Sequence, residues 1–243
     1  MRTIIIGDAH GCGWELATLL DRLGPTADDQ VIMVGDLVVR GPEPLQVLRL
    51  VRTIGAQAVR GNHEDRLLRW RAARHARTQG TDQGLAASET RLLKAKWLTR
   101  TAEQIDEDGW ALIESLPLSL DLPTHDLQVV HAGVEPGVPL ANQAKRTLLT
   151  IRTIDDEGRP SELRDAGPLW GACYQGPPHI VFGHNANFKP QLHPWATGID
   201  TGCVYGGALT AVVLPAGEAI PEIPRRPEVM VSVQARKAYY PVA

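Results

Sequence analysis

The sequence has few cysteines and no long apolar segment. Its three cysteines, Cys12, Cys173 and Cys203, are widely spaced and form no zinc-type Cys pair. This usage suits a reducing compartment, and we expect the cysteines to be small buried thiols. Residues 1–3 lead directly into an apolar strand without a signal-peptide pattern, and no apolar run could span a bilayer. We therefore expect a cytoplasmic protein with no membrane partner.

Linkers, low-complexity segments and internal repeats are also missing from the 243 residues. Their absence predicts a single domain spanning 1–243. The 25 Lys and Arg residues against 28 Asp and Glu leave a formal charge of −3. This balance argues against a protein that coats nucleic acid through bulk charge. The sequence specifies no oligomeric state.

Short apolar runs alternate with helical patterns in the first quarter of the chain. Runs at 4–6, 31–34 and 56–59 are typical of buried strands, and helices are predicted over 16–23 and 45–51. This β-α-β-α-β alternation predicts parallel strands joined by right-handed crossovers. Later strands are predicted at 118–121, 127–130, 180–182 and 209–213, with a last edge strand at 229–233.

The segment at about 65–115 is rich in Arg, Ala and Leu and shows no strand pattern. We expect a helical insertion or cap of two or three helices there. Its basic residues are Arg66, Arg69, Arg71, Arg74, Arg77, Lys94, Lys96 and Arg100. They could form a rim that attracts a polyphosphate, or they could be an ordinary solvated helix face. Trp70, Trp97 and Trp110 could stack on adenine or pack in the core.

Five short motifs follow one another along the chain, most of them directly after a predicted strand. They are Gly-Asp-Ala-His-Gly at 7–11, Gly-Asp-Leu-Val-Val-Arg-Gly at 35–41, Gly-Asn-His-Glu at 61–64, His-Ala-Gly at 131–133 and Gly-His-Asn at 183–185. Oxygen and nitrogen donors of this kind bind hard and borderline divalent metals. Ligands at strand ends also lie where open α/β sheets place their chemistry.

The spacing of the donors predicts a site for two ions. Asp8 and His10 flank one residue, so both can face one ion, and Asp36 repeats the strand-Gly-Asp arrangement and can bridge two ions. The second ion would be completed by Asn62, His131 and His184. A single histidine is more often structural, but the full set in this order favours a metal site. The remaining histidines, His75, His125, His179 and His193, have no such setting and are expected at the surface or in the core.

The motif set resembles that of the calcineurin-like metallophosphoesterases of the phosphoprotein-phosphatase superfamily, and the resemblance covers 7–213. Two stretches, 35–42 and 200–210, resemble more closely the bacterial symmetrical diadenosine-tetraphosphate hydrolases. The resemblance implies an α/β fold with a β-sandwich of two mixed sheets flanked by helices. It also implies hydrolysis of a dinucleoside polyphosphate or other phosphoanhydride. The expected reaction converts diadenosine tetraphosphate to two ADP through attack by a metal-bridged hydroxide.

The resemblance also implies a role for each motif residue. Asp8, His10 and Asp36 would hold the first ion, and Asp36, Asn62, His131 and His184 the second. Arg40 and Asn62 would contact the phosphate, with Arg152 as a second phosphate arginine and Tyr205 as a further substrate contact. His63 would be the general acid. The two ions are expected to be Mn²⁺, with Fe, Zn, Co or Ni as alternatives.

Val39 departs from the pattern of the protein phosphatases, which carry Asp directly before the arginine that matches Arg40. That Asp hydrogen-bonds the catalytic histidine and favours its protonated form, which Val39 cannot do. His63 should therefore be a weaker acid catalyst. A serine alkoxide needs a proton to depart, whereas a nucleotide leaving from an anhydride is far less basic. The alternative is that Val39 only packs and that Glu64 or a water molecule orients His63.

Three other functions stay open. A serine/threonine protein phosphatase would use the same chemistry, although Val39 and the basic insertion count against it. A hydrolase of polyphosphate or nucleotide-capped RNA ends would have an identical site. The chain could also be a binding module that has lost catalysis, but every expected metal ligand is present.

Overall fold

The computed structural model of the protein describes residues 2–241. The strands are β1 (Arg2–Ile6), β2 (Gln30–Met33), β3 (Gln57–Ala58), β4 (Ser119–Leu122), β5 (Leu127–Val130), β6 (Thr153–Ile154), β7 (Pro160–Ser161), β8 (His179–Phe182), β9 (Gln191–His193), β10 (Ala196–Gly198), β11 (Ala208–Pro215) and β12 (Met230–Gln234). The α-helices are α1 (Gly13–Leu23), α2 (Pro44–Thr53), α3 (Asn62–Thr78), α4 (Ala87–Leu93), α5 (Lys96–Ala102), α6 (Glu107–Ser115), α7 (Lys145–Thr150) and α8 (Trp170–Cys173).

The strands form two mixed five-stranded sheets and one short hairpin. The first sheet has the order β12-β11-β1-β2-β3, and the second has the order β4-β5-β8-β10-β9. In the first sheet β1, β2 and β3 run parallel, while β11 and β12 add antiparallel strands at one edge. In the second sheet β5, β8 and β10 run parallel. Strands β6 and β7 pair separately.

Side-chain alternation along the strands explains why the two sheets pack face to face. In β1, Ile5 lies in a cluster between the sheets together with Val129 and Val181 of the second sheet. Its neighbours Ile4 and Ile6 point to the opposite face and pack against the helices. Both faces of this strand are therefore buried, as its unbroken apolar sequence requires. The predicted α/β sandwich of two mixed sheets flanked by helices is confirmed.

The segment from 62 to 115 contains four α-helices, α3 to α6, where we expected two or three. Helix α3 begins at Asn62, so it carries the third motif in its first turn. Trp70 and Trp110 are buried in the same cluster as the first sheet and belong to the core, whereas Trp97 is 40% exposed. The description of this segment as an insertion in a single domain stays a prediction.

Several elements between 131 and 208 were not anticipated. Hairpin β6–β7, strands β9 and β10, and helices α7 and α8 each have six residues or fewer. Elements of this length leave too few residues for a period of two or 3.6 to be visible. Strand β10 pairs with β8, and β9 pairs with β10, so these two strands depend on partners that are distant or adjacent only in the folded sheet.

The histidines outside the motifs do not share one environment. His125 Nε2 lies 2.9 Å from Thr3 Oγ1, and His179 Nε2 lies 2.8 Å from Thr197 Oγ1, both in the interior. His75 is exposed. Across residues 2–241, no helix is long and apolar enough to cross a membrane.

Candidate metal centre

The carboxyl ends of four strands from the two sheets converge on one place. Strands β1 and β2 lead into Asp8 and Asp36, and strands β5 and β8 lead into His131 and His184. Helix α3 adds a fifth donor, Asn62, from its first residue. All of these side chains except that of the half-buried His184 are buried. The sandwich therefore brings together donors that are up to 176 positions apart in sequence.

Asp36 lies at the centre of the donor set. Its Oδ2 is 3.6 Å from His10 Nε2, and its Oδ1 is 3.5 Å from His131 Nε2. Asn62 Oδ1 is 3.0 Å from both His131 Nε2 and His184 Nδ1. The predicted ligands of the second ion thus lie in mutual contact on one side of Asp36.

Two groups of three donors share Asp36 among the described residues. In each, the ligand atoms lie within 4.8 Å of one another: one group is His10, Asp36 and His63, and the other is Asp36, His131 and His184. Asp8 is in neither group, and its carboxylate accepts hydrogen bonds from the amide of His184 at 3.0 and 3.2 Å. His63, which was predicted to be the general acid and not a ligand, thus belongs to the first donor group by distance. The assignment of Asp8 as a ligand stays a prediction.

The turns that carry these residues adopt left-handed backbone conformations. His10, Asp36, Arg40 and His184 have φ of 46°, 49°, 82° and 63°. Such conformations cost a non-glycine residue roughly 1–3 kcal/mol, and they concentrate at functional sites. Gly61 shows why the motifs need glycine, since a Cβ there would lie 2.2 Å from Asp36 Oδ1.

Glu64 holds the central turn in place. Its Oε2 accepts hydrogen bonds from the amides of Asp36 at 2.8 Å and Gly61 at 3.0 Å, and its Oε1 accepts one from Leu37 at 2.9 Å. The side chain is fully buried, so these bonds are protected from water. Glu64 consequently orients the Asp36 turn and not His63, which removes one of the two alternatives for orienting that histidine.

His63 is held through its backbone and an aromatic neighbour. Its amide donates to Asp36 Oδ1 at 3.0 Å, and its ring packs edge-on against Trp97 with centroids 5.7 Å apart. Within residues 2–241, His63 Nδ1 has no hydrogen-bond partner. Val39 is buried in the apolar cluster of the first sheet. Among the described residues, no acidic side chain therefore accepts a hydrogen bond from His63 Nδ1, although Asp36 Oδ2 lies 3.9 Å from Nε2.

Burial shifts the pKa of several predicted metal ligands toward the neutral form. It raises the pKa of Asp36 to about 6, and the pKa of Asp8 well above its usual range with help from the nearby Asp200 and Asp36 carboxylates. Burial lowers the pKa of His131 to about 4, and it lowers the pKa of His10 well below 6.5. At neutral pH these histidines are uncharged, which leaves nitrogen lone pairs for a metal.

These observations test whether the residues fit a pair of divalent ions. His10 Nδ1, His63 Nδ1 and His184 Nε2 are buried without a partner in the described chain. His131 Nδ1 is 2.9 Å from the carbonyl oxygen of Val34 and donates to it, so its Nε2 is the nitrogen left for a ligand bond. Buried carboxylates and neutral imidazoles without a thiolate form the donor set of hard and borderline cations. The residues fit such ions.

A cavity of about 190 Å³ opens over the donors and is bordered by cationic side chains. Arg152 Nη1 donates to Asn185 Oδ1 at 2.7 Å, which aims the guanidinium into this cavity. The Arg40 guanidinium lies 5.5 Å from the ring centres of both Tyr205 and Tyr240. Arg40, Arg152 and Tyr205, which the sequence suggested separately, are therefore brought together beside His63.

Some residues at the site were not singled out from the sequence. They are Arg164, Asn185, Asp200 and Tyr240, whereas Arg66 belongs to the predicted basic rim. Asn185 directly follows a predicted ligand, and Asp200 begins a Gly-containing turn, so local signals existed for both. Tyr240 lies in the irregular tail, and nothing in its sequence neighbourhood indicates that it reaches Arg40. Its position is a consequence of tertiary folding alone.

Comparison with known proteins shows that the chain resembles a described family and several bacterial proteins. Residues 1–213 match the sequence model of a family described as calcineurin-like phosphoesterase. The chain is 34% identical to the asymmetrical bis(5'-nucleosyl)-tetraphosphatase PrpE of Halalkalibacterium halodurans, over 93% of this chain and 95% of that one. It is 33% identical to the enzyme of the same name from Anoxybacillus flavithermus, over 89% and 91%. A solved structure assigned as a diadenosine tetraphosphatase is 32% identical, with a TM-score of 0.76 over 96% of this chain and 93% of that one.

The names of these relatives correct one expectation. Both sequence relatives are called asymmetrical, so the predicted likeness to symmetrical hydrolases is not supported. The physical reason is that Asp36 and Arg40 of the first stretch and Asp200 and Tyr205 of the second line the cavity over the metal donors. Side chains at that position do not by themselves select which bond of a substrate is cleaved.

Proposed function

The chain belongs to the calcineurin-like phosphoesterase family, and on that premise we propose that it hydrolyses dinucleoside tetraphosphates at a phosphoanhydride bond. The observation that carries the proposal is the position of Asp36, which is shared by two donor groups below a cavity lined by Arg40 and Arg152. The names of the relatives favour asymmetrical cleavage. For diadenosine tetraphosphate, the products would be ATP and AMP.

The residues that would hold the two ions are those of the strand ends. Asp8, His10 and Asp36 would bind one ion, and Asp36, Asn62, His131 and His184 the other. When bound, such ions lower the pKa of a water molecule and stabilise negative charge on phosphoryl oxygens. The oxygen and imidazole donors suit manganese, iron or zinc, and we propose Mn²⁺ because of the resemblance to the family.

Two arginines would bind and orient the phosphoryl group. Arg152 is positioned by Asn185, and Arg40 is positioned between two tyrosine rings, so neither guanidinium has to be ordered when substrate arrives. A guanidinium donates two parallel hydrogen bonds to a phosphate, and a partly buried one stabilises developing charge better than one in water. These side chains would therefore favour the transition state through preorganisation.

His63 would donate a hydrogen bond to the oxygen that departs. Burial lowers the pKa of His63 well below 6.5, with contributions from the positive charges of its neighbours, so its imidazole is mostly neutral at pH 7. A neutral imidazole still donates one N–H, which suits a weakly basic leaving group such as ATP or AMP. A serine alkoxide requires full protonation, so a protein phosphatase function is less favoured by this site.

The proposal is tested by resolving the products of diadenosine tetraphosphate with added Mn²⁺. We expect ATP and AMP in equal amounts, whereas two ADP would show symmetrical cleavage. Asp36→Asn and His131→Ala should lower turnover by roughly 10²–10³-fold or more, the range for loss of one transition-state-stabilising group. The exposed His75→Ala variant is the matched control. Full activity of Asp36→Asn would contradict the metal assignment. A wild-type enzyme that cleaved inorganic polyphosphate but no dinucleotide would contradict the substrate assignment.

A further inference from the structure

The central cavity over the metal donors continues into two cavities of different chemistry. One, the aromatic cavity, has a volume of about 500 Å³ and is lined by Phe188, Gly202 and Tyr205 together with three arginines. The other, the basic cavity, has a volume of about 460 Å³ and is lined by Arg66, Arg69, Lys145 and Arg146 among others. Each shares lining residues with the central cavity, and they share none with each other.

Phe188 presents its ring to the aromatic cavity. The side chain is 63% exposed, and a Cβ on Gly207 would lie 3.0 Å from its Cδ1. The ring therefore rests on a glycine that has no side chain to cover it. A single exposed apolar residue is ordinary on a protein surface. This ring, however, lies beside arginines that also border the metal donors.

Gly202 separates Phe188 from a second ring. A Cβ at Gly202 would be 3.9 Å from Phe188 Cδ1 and also 3.9 Å from Tyr205 Cδ2. Gly202 has φ of +72°, so any other residue there would be strained. Tyr205 is held in turn by the Arg40 guanidinium, 5.5 Å from its ring centre. The wall of the cavity is thus made of two aromatic rings with a glycine between them.

We propose that the aromatic cavity binds the nucleobase of the nucleotide that is released as the monophosphate product. This rests on the proposed dinucleotide hydrolysis. Arg40 and Arg152 line both this cavity and the central one, so a base on Phe188 and its own phosphate over the metal donors would occupy adjoining spaces. The remaining phosphates would then extend into the basic cavity, where Arg66 and Arg69 provide cations. Lys145 and Arg146 also line it, but they are paired with Asp65 at 2.6 Å and Glu162 at 2.7 Å. One base bound next to the reacting phosphorus gives asymmetrical cleavage.

The chemistry of the cavity favours a base over an amino-acid side chain of a protein substrate. Purines present a flat π face that stacks on phenylalanine or tyrosine whatever the sequence, and arginine adds a cation–π contact. The cavity volume is also within the range of small-molecule sites. A base without its phosphate would lack the hydrogen bonds between arginine and phosphate, so the proposed ligand is a nucleoside monophosphate.

The first test measures binding without turnover. The affinity of the manganese-loaded protein for AMP and for inorganic phosphate is measured by equilibrium dialysis in wild type, Phe188→Ala and Phe188→Tyr. We expect AMP to bind the wild type more tightly than phosphate. Phe188→Ala should weaken AMP binding roughly tenfold, which is typical of the loss of one stacking platform, and Phe188→Tyr should restore it. Leu163→Ala is the matched control, because Leu163 is 64% exposed and lines neither the aromatic nor the central cavity.

The outcomes separate this proposal from the proposed function. Equal affinity for AMP and phosphate, or an unchanged AMP affinity in Phe188→Ala, overturns the nucleobase site even if the wild type cleaves diadenosine tetraphosphate. Conversely, a wild type that cleaves no dinucleotide overturns the proposed function while the AMP measurement still decides the site. In an active enzyme, Phe188→Ala should raise KM for diadenosine tetraphosphate about tenfold with a smaller change in kcat.

Discussion

Val39 is the residue that most directly concerns substrate choice. It lies in the apolar cluster of the first sheet, immediately before Arg40, and His63 Nδ1 has no partner among the described residues. His63, which we propose as the acid, therefore has no carboxylate at Nδ1 that would hold a proton on it. An anhydride tolerates this lack because its leaving group is weakly basic.

Val39→Asp should shift the enzyme toward phosphate monoesters. A carboxylate near His63 favours the imidazolium, so we expect kcat/KM for p-nitrophenyl phosphate, relative to diadenosine tetraphosphate, to rise roughly tenfold. Measuring the ratio of the two substrates cancels any loss of folded protein caused by burying a charge. Val39→Asn, which has the same shape without the charge, is the control. An unchanged ratio in Val39→Asp would defeat the leaving-group argument.

At the scale of elements, helix α3 and the turn after β2 are joined by one side chain. Glu64 lies in the first turn of α3, where it accepts the Gly61 amide at the start of the helix and the Asp36 and Leu37 amides of the turn. A carboxylate accepts all three hydrogen bonds, which is why a helix begins at the metal site. The same arrangement of Glu89 with Ala86 begins helix α4, but that one is exposed.

This pair of helix starts provides a matched experiment. Glu64→Gln replaces one acceptor oxygen by an NH₂ group that faces an amide N–H, so we expect the free energy of unfolding to fall by about 1–3 kcal/mol. Glu89→Gln should change it by no more than about 0.5 kcal/mol, because water can satisfy the exposed amide. Chemical denaturation of both variants checks the difference. Mn²⁺ affinity should also fall in Glu64→Gln only, and equal stability of the two variants would show that Glu64 does not hold the turn.

At the scale of the whole molecule, the two sheets each supply part of one site. The first sheet carries Asp8 and Asp36, and the second carries His131 and His184. At the start of β8, the end of the strand away from His184, His179 Nε2 lies 2.8 Å from Thr197 Oγ1 of β10. Arg226 ties the tail to the same group, since its Nη1 donates to Thr197 Oγ1 at 3.1 Å. Stability and site geometry consequently depend on the same packing of sheets.

The buried His179 should make stability depend on pH. Burial and the Arg226 charge lower its pKa to about 3, below its unfolded value of 6.5. Between these values the unfolded chain binds more protons, so the free energy of unfolding falls as pH decreases from about 6.5 toward 3. The slope from one group is at most about 1.4 kcal/mol per pH unit. His179→Gln should flatten the profile measured by denaturation, whereas exposed His75→Gln should keep the wild-type slope. Identical slopes in all three proteins would contradict this.

The sequence alone determined the parts of this protein that depend on local patterns. The β-branched run of β1 and the leucine spacing of α1 identify buried elements, and the Gly-flanked donors identify a metal site because such turns need both glycine and specific ligands. The same Gly-flanked motifs indicate the family. A strand end and the residue after it are neighbours in sequence, so no tertiary information is needed to see them together.

Only the tertiary structure decided which distant residues meet. It placed Tyr240 of the tail beside Arg40, placed Phe188 next to Gly202, and directed Glu64 to the Asp36 turn away from His63. No periodic pattern in the sequence predicts these contacts, because each joins elements that meet only when the two sheets and their loops pack together. The cavities around the metal donors have the same origin, since each is lined by residues from separate parts of the chain.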